Sequence, residues 1–503
     1  MTNPLYDALF APHRHNDSPF LLLPGGAPLS FRAFLDLAAQ YAHVICAAGL
    51  RPGDRLAVQI NKSPQALAVY AAAVQTGVIF LPLNTAYTPN EVDYFVEDSG
   101  ASLVLCDASE LDAVAPIVSA NNAMVMTLNG DGSGSFAREA TRQKTEFTPV
   151  KLAENDLAAL LYTSGTTGRS KGAMLSQKNL LSNAKTLVAE WDFTCDDTLL
   201  HALPIFHTHG LFVATNTCLL TGAAMIFLPK FNTDQVIAAL PDATTMMGVP
   251  TFYTRLLDDP RFTRNLTEHM RLFISGSAPL LAETHKAFGQ RTGHRILERY
   301  GMTETNMNTS NPYVGARKPG TVGPALPGVD LKITDPETGQ PLPDGEIGIV
   351  EVRGDNVFQG YWQMPDKTAL ELRQDGYFIT GDLGQIDQEG YLTIVGRAKD
   401  LIISGGYNIY PKEIELVLDE QPGVLESAVI GVPHGDFGEA VTGILIARPG
   451  ETLDLGAILE NAATHLAKFK LPKRLFVADE LPRNTMGKVQ KNTLRDRYSD
   501  LFA

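Results

Sequence analysis

Along the first part of the chain, apolar residues alternate between a helical rhythm and short unbroken runs. Ser30 stands as a cap ahead of a helical pattern carrying Phe34, Leu37, Ala38 and Tyr41, which stops at Gly49. Arg55–Ile60 reads as a strand, Pro64–Gln75 as an alanine-rich helix halted by Gly77, and Val78–Leu83 as the next strand. Thr88-Pro89-Asn90-Glu91 has the layout of a capping box with proline in its first turn. It predicts a helix to Val96, and Ser102–Cys106 then reads as a strand. The stretch from Asp156 to Ile296 continues in this style. Leu157–Tyr162, Met225–Leu228 and Thr244–Val249 have strand length, and Leu180, Ala184, Leu187 and Trp191 share a helical spacing. Short strands separated by helices predict parallel pairing through crossovers, hence an α/β core.

From Gly320 to Val395 the pattern shortens. Strand-length runs (VDLKITD, GEIGIVEVRG, GYFITGDLGQID, GYLTIVG) are divided by glycine turns, which predicts a β-rich subdomain built as a distorted barrel or sandwich. Beyond Arg397-Ala398-Lys399-Asp400 comes a helix from Pro411 to Leu418, then SAVIGV and VTGILIAR, a helix over Leu455–Ala467 and the run RLFVAD. That is an α+β domain of about 100 residues, a usual domain size. The expected division is therefore 1–398 and 399–503. The link is short and charged, and a short link sets a hinge angle where a Gly/Ser-rich one would let the domain wander.

Composition narrows the partners. The 503 residues are 44% hydrophobic and 19% charged, enough apolar material for a large core. A formal net charge of −15 argues against a nucleic-acid partner or an anionic membrane surface. It also makes the binding of any polyanion a local matter of a few basic side chains and N–H groups. Cys46, Cys106, Cys195 and Cys218 are too few and too scattered for a disulfide framework or a zinc site, which fits a reducing compartment. The opening MTNPLYDALFAPHRHND lacks the charged-then-apolar layout of a secretory signal, and no apolar run approaches the roughly 18 residues of a membrane span. A cytoplasmic enzyme is the expectation.

The densest polar chemistry lies at Thr163–Gly172, which reads Thr-Ser-Gly-Thr-Thr-Gly-Arg-Ser-Lys-Gly directly after the Leu157–Tyr162 run. A Gly-rich loop leaving a strand can turn successive N–H groups inward as an anion nest, with hydroxyls and Lys171 adding donors to phosphate oxygens. The spacing is not that of a Walker loop. Alone, such a run is as readily a surface turn as a phosphate cradle. Five further motifs follow in order: Tyr300–Glu304 (YGMTE), Thr380–Leu383 (TGDL), Gly396–Asp400 (GRAKD), Gly405–Glu413 (GGYNIYPKE) and Pro482–Lys488 (PRNTMGK). Together with the loop they resemble the signatures of the acyl-adenylate-forming (AMP-forming) ligase superfamily, which includes acyl-CoA synthetases, luciferases and peptide-synthetase adenylation domains. The resemblance covers nearly the whole chain. Glu298–Pro312 (ERYGMTETNMNTSNP) is most similar to malonyl-CoA synthetases.

The resemblance implies a large N-terminal domain, α/β with the β-rich subdomain, and a small mobile α+β C-terminal lid. It implies ATP, Mg²⁺ and coenzyme A as reactants and cofactor, and two half-reactions: a carboxylate attacks the α-phosphorus of ATP, and the CoA thiol then displaces AMP. Thr163, Ser164, Gly165, Thr166, Thr167, Gly168 and Lys171 are implied to wrap the outer phosphates. Thr303 then binds the α-phosphate, and Glu304, with Thr163, holds Mg²⁺. Tyr300 stacks on adenine, Gly276, Ser277 and Ala278 line its other face, and Glu298, Gly301 and Met302 belong to the same nucleotide site. Asp382 and Arg397 take the ribose. Lys488 reaches the α-phosphate and acyl carboxylate during adenylation, and is implied as a target of a lysine acetyltransferase and deacetylase. Lys399 matches the hinge, Ser404, Gly405 and Gly406 the CoA contacts, and His207 a catalytic position at the head of the acyl pocket. Read without the resemblance, Asp382 is a turn aspartate, Lys488 one charge of a solvated basic tail, Tyr300 a core side chain and His207 a packing residue.

In this superfamily the residue before Tyr-Gly-Met-Thr-Glu lies at the acyl pocket, where ligases for larger uncharged acids commonly carry glycine. Here it is Arg299. A guanidinium aimed into an apolar pocket is an unpaired buried charge costing on the order of several kcal/mol. Against the distal carboxylate of a short dicarboxylic acid the same group gains a forked, charge-assisted contact. The expected acids are malonate and methylmalonate, with Ser277, His207 and Met307 as pocket residues. Arg255 is the competing cation, and Arg299 turned outward against a surface acid is the alternative placement. Other readings are a ligase for medium-chain or aromatic monocarboxylates, or for oxalate. A carrier-loading adenylation domain is disfavoured because no carrier module precedes Ala503, and a silent ATP-binding protein because Lys171, Glu304, Asp382 and Lys488 are intact.

Overall fold

The computed structural model describes residues 3–163, 170–404, 407–435, 437–484 and 487–502. Helices begin where the sequence supplies caps. Ser30 accepts from the Ala33 N–H at 3.2 Å and opens the helix Phe31–Ala47. Ser63 and Pro64 open Pro64–Thr76, which ends where Gly77 takes a left-handed φ of +70°. Thr88 and Glu91 form the reciprocal capping box of Pro89–Ser99. Each cap satisfies N–H donors that a helix start leaves without an internal partner.

The chain divides into two compact units, Met1–Asp330 with Val352–Phe378, and Leu331–Glu351 with Ile379–Ala503. The sequence pattern set the border at Lys399 instead. Packing groups the β-rich strands with the C-terminal residues, as when helix Pro411–Asp419 lies against strand Leu392–Arg397.

Two sheets organise the first unit. One runs, in spatial order, Asn306–Ser310, Leu297–Met302, Leu272–Ser275, Thr245–Gly248, Thr198–His201, Ala224–Phe227, Pro19–Leu22 and Leu29–Ser30. Its inner pairings are parallel and its two edge pairings antiparallel. The other runs Met124–Thr127, Leu103–Cys106, Arg55–Gln59, Ile79–Pro82, Leu157–Thr163 and Lys171–Ser176, parallel except for the last pair. Strands such as Leu103–Cys106, buried along their whole length, carry the continuous apolar runs that parallel sheets require. Tyr253, Phe273 and Phe288 anchor the core against the first sheet. The Lys171–Ser176 edge is covered by a later segment. Met174 N–H donates to Gly360 O at 3.0 Å, Gln359 N–H to Met174 O at 2.9 Å, and Trp362 N–H to Gly172 O at 2.7 Å.

In the β-rich region, Val329–Thr334, Gly348–Gly354, Phe378–Ile386 and Leu392–Arg397 form one four-stranded sheet in chain order. This replaces the expected barrel or sandwich, since four strands are too few to close around filling side chains. The C-terminal sheet runs Tyr407–Ile409, Ile402–Ser404, Gly438–Ala447 and Val424–His434, with Arg474–Ala478 added parallel to Gly438–Ala447. Ile414, Leu418, Val429, Leu445 and Ile458 join it to helices Pro411–Asp419 and Leu455–His465. Among the described residues, no helix is long and apolar enough to cross a membrane.

Candidate active site

In the first unit, chemistry gathers beyond the C-terminal ends of parallel strands, where open α/β sheets bind their ligands. Gly276 and Ser277 follow Leu272–Ser275, Thr303 and Glu304 follow Leu297–Met302, and the segment carrying His207 and His209 follows Thr198–His201. Ser277 holds a left-handed φ of +71°, a conformation costing a non-glycine residue about 1–3 kcal/mol. Its hydroxyl lies 3.2 Å from His209 Nδ1.

Arg299 is only 3% exposed, and its Nε and Nη2 have no hydrogen-bond partner among the described residues. Burial draws its pKa down to about 9, against a smaller opposing influence of Tyr253, so the guanidinium stays charged at neutral pH. Burial, and then the Arg299 charge, push His207 down to about 4 and hold His209 well below the usual imidazole value. The charge in this buried cluster therefore belongs to Arg299, with neutral imidazoles beside it. Gly276 lies against the guanidinium with no room for a side chain. Arg255, by contrast, is exposed on helix Pro250–Leu257, with its guanidinium 6.0 Å from the Phe231 ring centre.

Met307 is buried, and its backbone is gripped by Asn183, which accepts from its N–H at 3.3 Å and donates to its carbonyl at 2.9 Å. Gly301 sits where the register between Leu297–Met302 and Asn306–Ser310 shifts, and a Cβ there would meet Asn306 O at 1.8 Å. Glu298 is buried and accepts from Leu280 N–H at 3.1 Å; Ala278, Tyr300, Met302 and Thr303 are half-buried.

On the phosphate side, Thr163 and Lys171, at the two ends of the polar run, are register partners across two antiparallel strands. Ser164, Gly165, Thr166, Thr167 and Gly168 lie outside the described residues. Lys171 Nζ stands 3.3 Å from Glu371 Oε2 and 4.1 Å from the Tyr361 ring centre. Tyr361 Oη lies 2.7 Å from Glu371 Oε2 and 3.0 Å from Glu304 Oε1. Tyr361 and Glu371 thus bring Lys171 and Glu304 together. The sequence did not single out either residue, because their contacts with Glu304 and Lys171 span 57 and 200 positions and leave no local pattern. Among the described residues, no cluster of three or more His, Cys, Asp and Glu could hold a metal unaided. One buried carboxylate, Glu304, fits Mg²⁺, which takes one or two carboxylates when phosphates complete its shell.

In the second unit, Asp382 and Arg397 are register partners, with Arg397 Nε 2.5 Å from Asp382 Oδ1. Lys399 sits in the tight turn Ala398–Asp400, and Asp400 Oδ1 lies 2.5 Å from Arg495 Nη2. Lys488 N–H donates to Asn484 Oδ1 at 2.9 Å, and Asn484 N–H to Lys488 O at 2.9 Å, closing a small loop. Lys488 is exposed overall, with its amine near the charges of Arg397, Asp382, Lys399 and Asp400. Desolvation there, then the Arg397 and Lys399 cations against Asp382 and Asp400, draws the pKa down to about 8. Ser404 is buried at the end of Ile402–Ser404, while Gly405 and Gly406 lie outside the described residues.

The family model for AMP-binding enzymes matches residues 10–362, and that for the AMP-binding enzyme C-terminal domain matches residues 413–488. Feruloyl-CoA synthase of Amycolatopsis sp is 35% identical over 479 residues, 94% of this chain and 95% of that protein. The mitochondrial malonate–CoA ligase of Mus musculus is 33% identical over 505 residues, 92% of this chain and 86% of that one. ATP-bound MatB from Rhodopseudomonas palustris matches with a TM-score of 0.98 and 55% identity over 100% of both chains.

Proposed function

Because the chain belongs to the AMP-binding enzyme family and is an AMP-forming CoA ligase, we propose that it converts malonate, and methylmalonate beside it, to the CoA thioester. The observation that carries this reading is Arg299, a buried cation with two nitrogens lacking a protein partner among the described residues. An uncompensated buried charge is strongly unfavourable, and the distal carboxylate of a short diacid supplies the missing counter-ion. A monocarboxylate leaves it unmet. The neutral His207 and His209, the buried Met307 and the strained Ser277 form the remaining pocket residues.

In the first step a malonate carboxylate oxygen attacks the α-phosphorus of ATP. The new O–P bond forms as the bond to the pyrophosphate oxygen breaks, and pyrophosphate leaves with the electron pair. In the second step the CoA sulfur attacks the acyl carbonyl, a C–S bond forms, AMP departs, and the thiol proton passes to solvent. Lys171 and the Thr163 loop hold the outer phosphates, Thr303 the α-phosphate, and Asp382 with Arg397 the ribose. Lys488, protonated below its pKa of about 8, meets the charge developing between carboxylate and phosphate. Glu304 is the residue to hold Mg²⁺, which supplies charge neutralisation along the phosphates.

The test is pyrophosphate release across malonate, methylmalonate, oxalate, butyrate, benzoate and ferulate. Malonate is expected to give the highest kcat/KM, with methylmalonate next. A monocarboxylate or oxalate in first place would overturn the assignment.

A further inference from the structure

We propose that Glu371 is a stand-in for phosphate, occupying Lys171 until the outer phosphates of the nucleotide take that lysine over, and receiving it again when pyrophosphate leaves. The inference rests on the assignment of Lys171 to those phosphates.

The backbone sets up the arrangement. Hydrogen bonds from Gln359 and Trp362 lay the segment 359–362 along Lys171–Ser176, which brings Tyr361 beside Lys171. The Tyr361 N–H donates to Thr368 Oγ1 at 2.9 Å, which ties the helix Pro365–Glu371 to the same edge. Glu371, at the end of that helix, then meets Lys171 Nζ at 3.3 Å and 3.5 Å through its two oxygens. The pair is largely sheltered, its side chains 17% and 23% exposed.

Glu371 also has a second cation. Lys367, one helical turn earlier, lies 2.7 Å from its Oε1. When Lys171 moves to a phosphate, Glu371 is not stranded as a lone anion, so the exchange avoids the penalty of an unpaired buried charge. Burial works to raise the Glu371 pKa, but Lys367, Tyr361 and Lys171 together hold it below the ordinary carboxylate value.

Tyr361 links this exchange to Glu304. Its hydroxyl has one proton and lies within hydrogen-bonding distance of both carboxylates, so it donates to only one of them at a time. The other contact brings two acceptors together, and the Lys171 cation over the ring offsets that repulsion. Withdrawal of Lys171 would leave that repulsion to be offset at Glu304, where the Mg²⁺ this carboxylate would hold would supply positive charge. AMP, which lacks outer phosphates, has nothing to draw Lys171 away from Glu371.

The experiment compares equilibrium binding of ATP, pyrophosphate and AMP to the full chain by titration calorimetry. Glu371→Gln is expected to tighten ATP and pyrophosphate by about two- to fivefold, the range of a partly exposed ion pair, with AMP unchanged. Glu371→Asp, which keeps the charge but shortens the reach, should shift both in the same direction by less, and carries the test if the glutamine variant does not fold. Lys171→Met should weaken ATP and pyrophosphate, and adding Glu371→Gln to it should change nothing further. Weaker or unchanged ATP binding in Glu371→Gln and Glu371→Asp, with Lys171→Met still harmful, would overturn the stand-in role alone. Unchanged ATP binding in Lys171→Met would instead remove the assignment of Lys171, and the inference with it.

Discussion

A Cβ built on Gly276 falls 2.3 Å from Arg299 Cζ, so a side chain at one position and a guanidinium at the other exclude each other. The two face each other across neighbouring parallel strands, Leu272–Ser275 and Leu297–Met302. Gly276→Ala is therefore expected to dislodge Arg299 and to lower kcat/KM for malonate on the order of 10- to 100-fold, as small misplacements of binding groups do. Pyrophosphate affinity, measured by calorimetry, should fall much less. Equal losses in both would place the damage in the nucleotide site.

Replacing the cation itself separates the two candidate arginines. Arg299→Gly is expected to lose malonate selectively, by about 2–5 kcal/mol in kcat/KM as for one member of a buried charge pair, and to gain on butyrate. Arg255→Gln, on an exposed helix face, should leave the ratio of the two acids alone. Steady-state kinetics on both acids decides.

Lys488 gives a pH signature. Its amine is charged below about 8 and neutral above, so a step that needs the charge slows as pH rises through that value. Single-turnover formation of malonyl-AMP should show this limb, while thioester formation from supplied malonyl-AMP should not. Lys488→Ala should lose roughly a hundredfold or more in the first half-reaction only, the scale of removing one transition-state donor. Acetylation of the same amine would act alike by removing its charge.

Stability should fall on the acid side. Burial is the main cause lowering the pKa of His13, His201, His207, His209, His285 and His294, with His207 and His285 at about 4. Unfolded, each titrates near 6.5, so below that pH the unfolded chain binds protons the folded one refuses. The folded state therefore loses stability as pH drops from about 6.5 toward about 4. Urea midpoints at pH 7.5, 6.5 and 5.5 should decline in that order, and His285→Leu should flatten the slope. A midpoint independent of pH across this range would contradict the assignment.

The sequence was readable where a signal lies within one turn of chain. Ser30 and the Thr88–Glu91 pair marked helix starts correctly because a cap and its target are three residues apart. The strand Asn306–Ser310 was not readable. All five residues are buried but four are polar, so hydrophobic patterning passes over them, and their environment comes from distant groups such as Asn183 and Asn356. The burial of Arg299 was anticipated only through its place before a motif, and its lack of partners required the fold. The pairing of Lys171 with Glu371 across 200 positions had no trace in the chain order.

During synthesis the Lys171–Ser176 strand is complete long before the segment that covers it. Gly172 precedes its partner Trp362 by 190 residues, 362 minus 172, which at ribosomal speeds of about 5–20 residues per second is roughly 10–40 s. Through that interval the growing chain carries an uncovered strand edge of the kind that pairs with other chains. Production of the enzyme should therefore be sensitive to chaperone supply. A fragment ending before Gln359 would keep this edge open permanently and aggregate, however well the preceding α/β layers had formed.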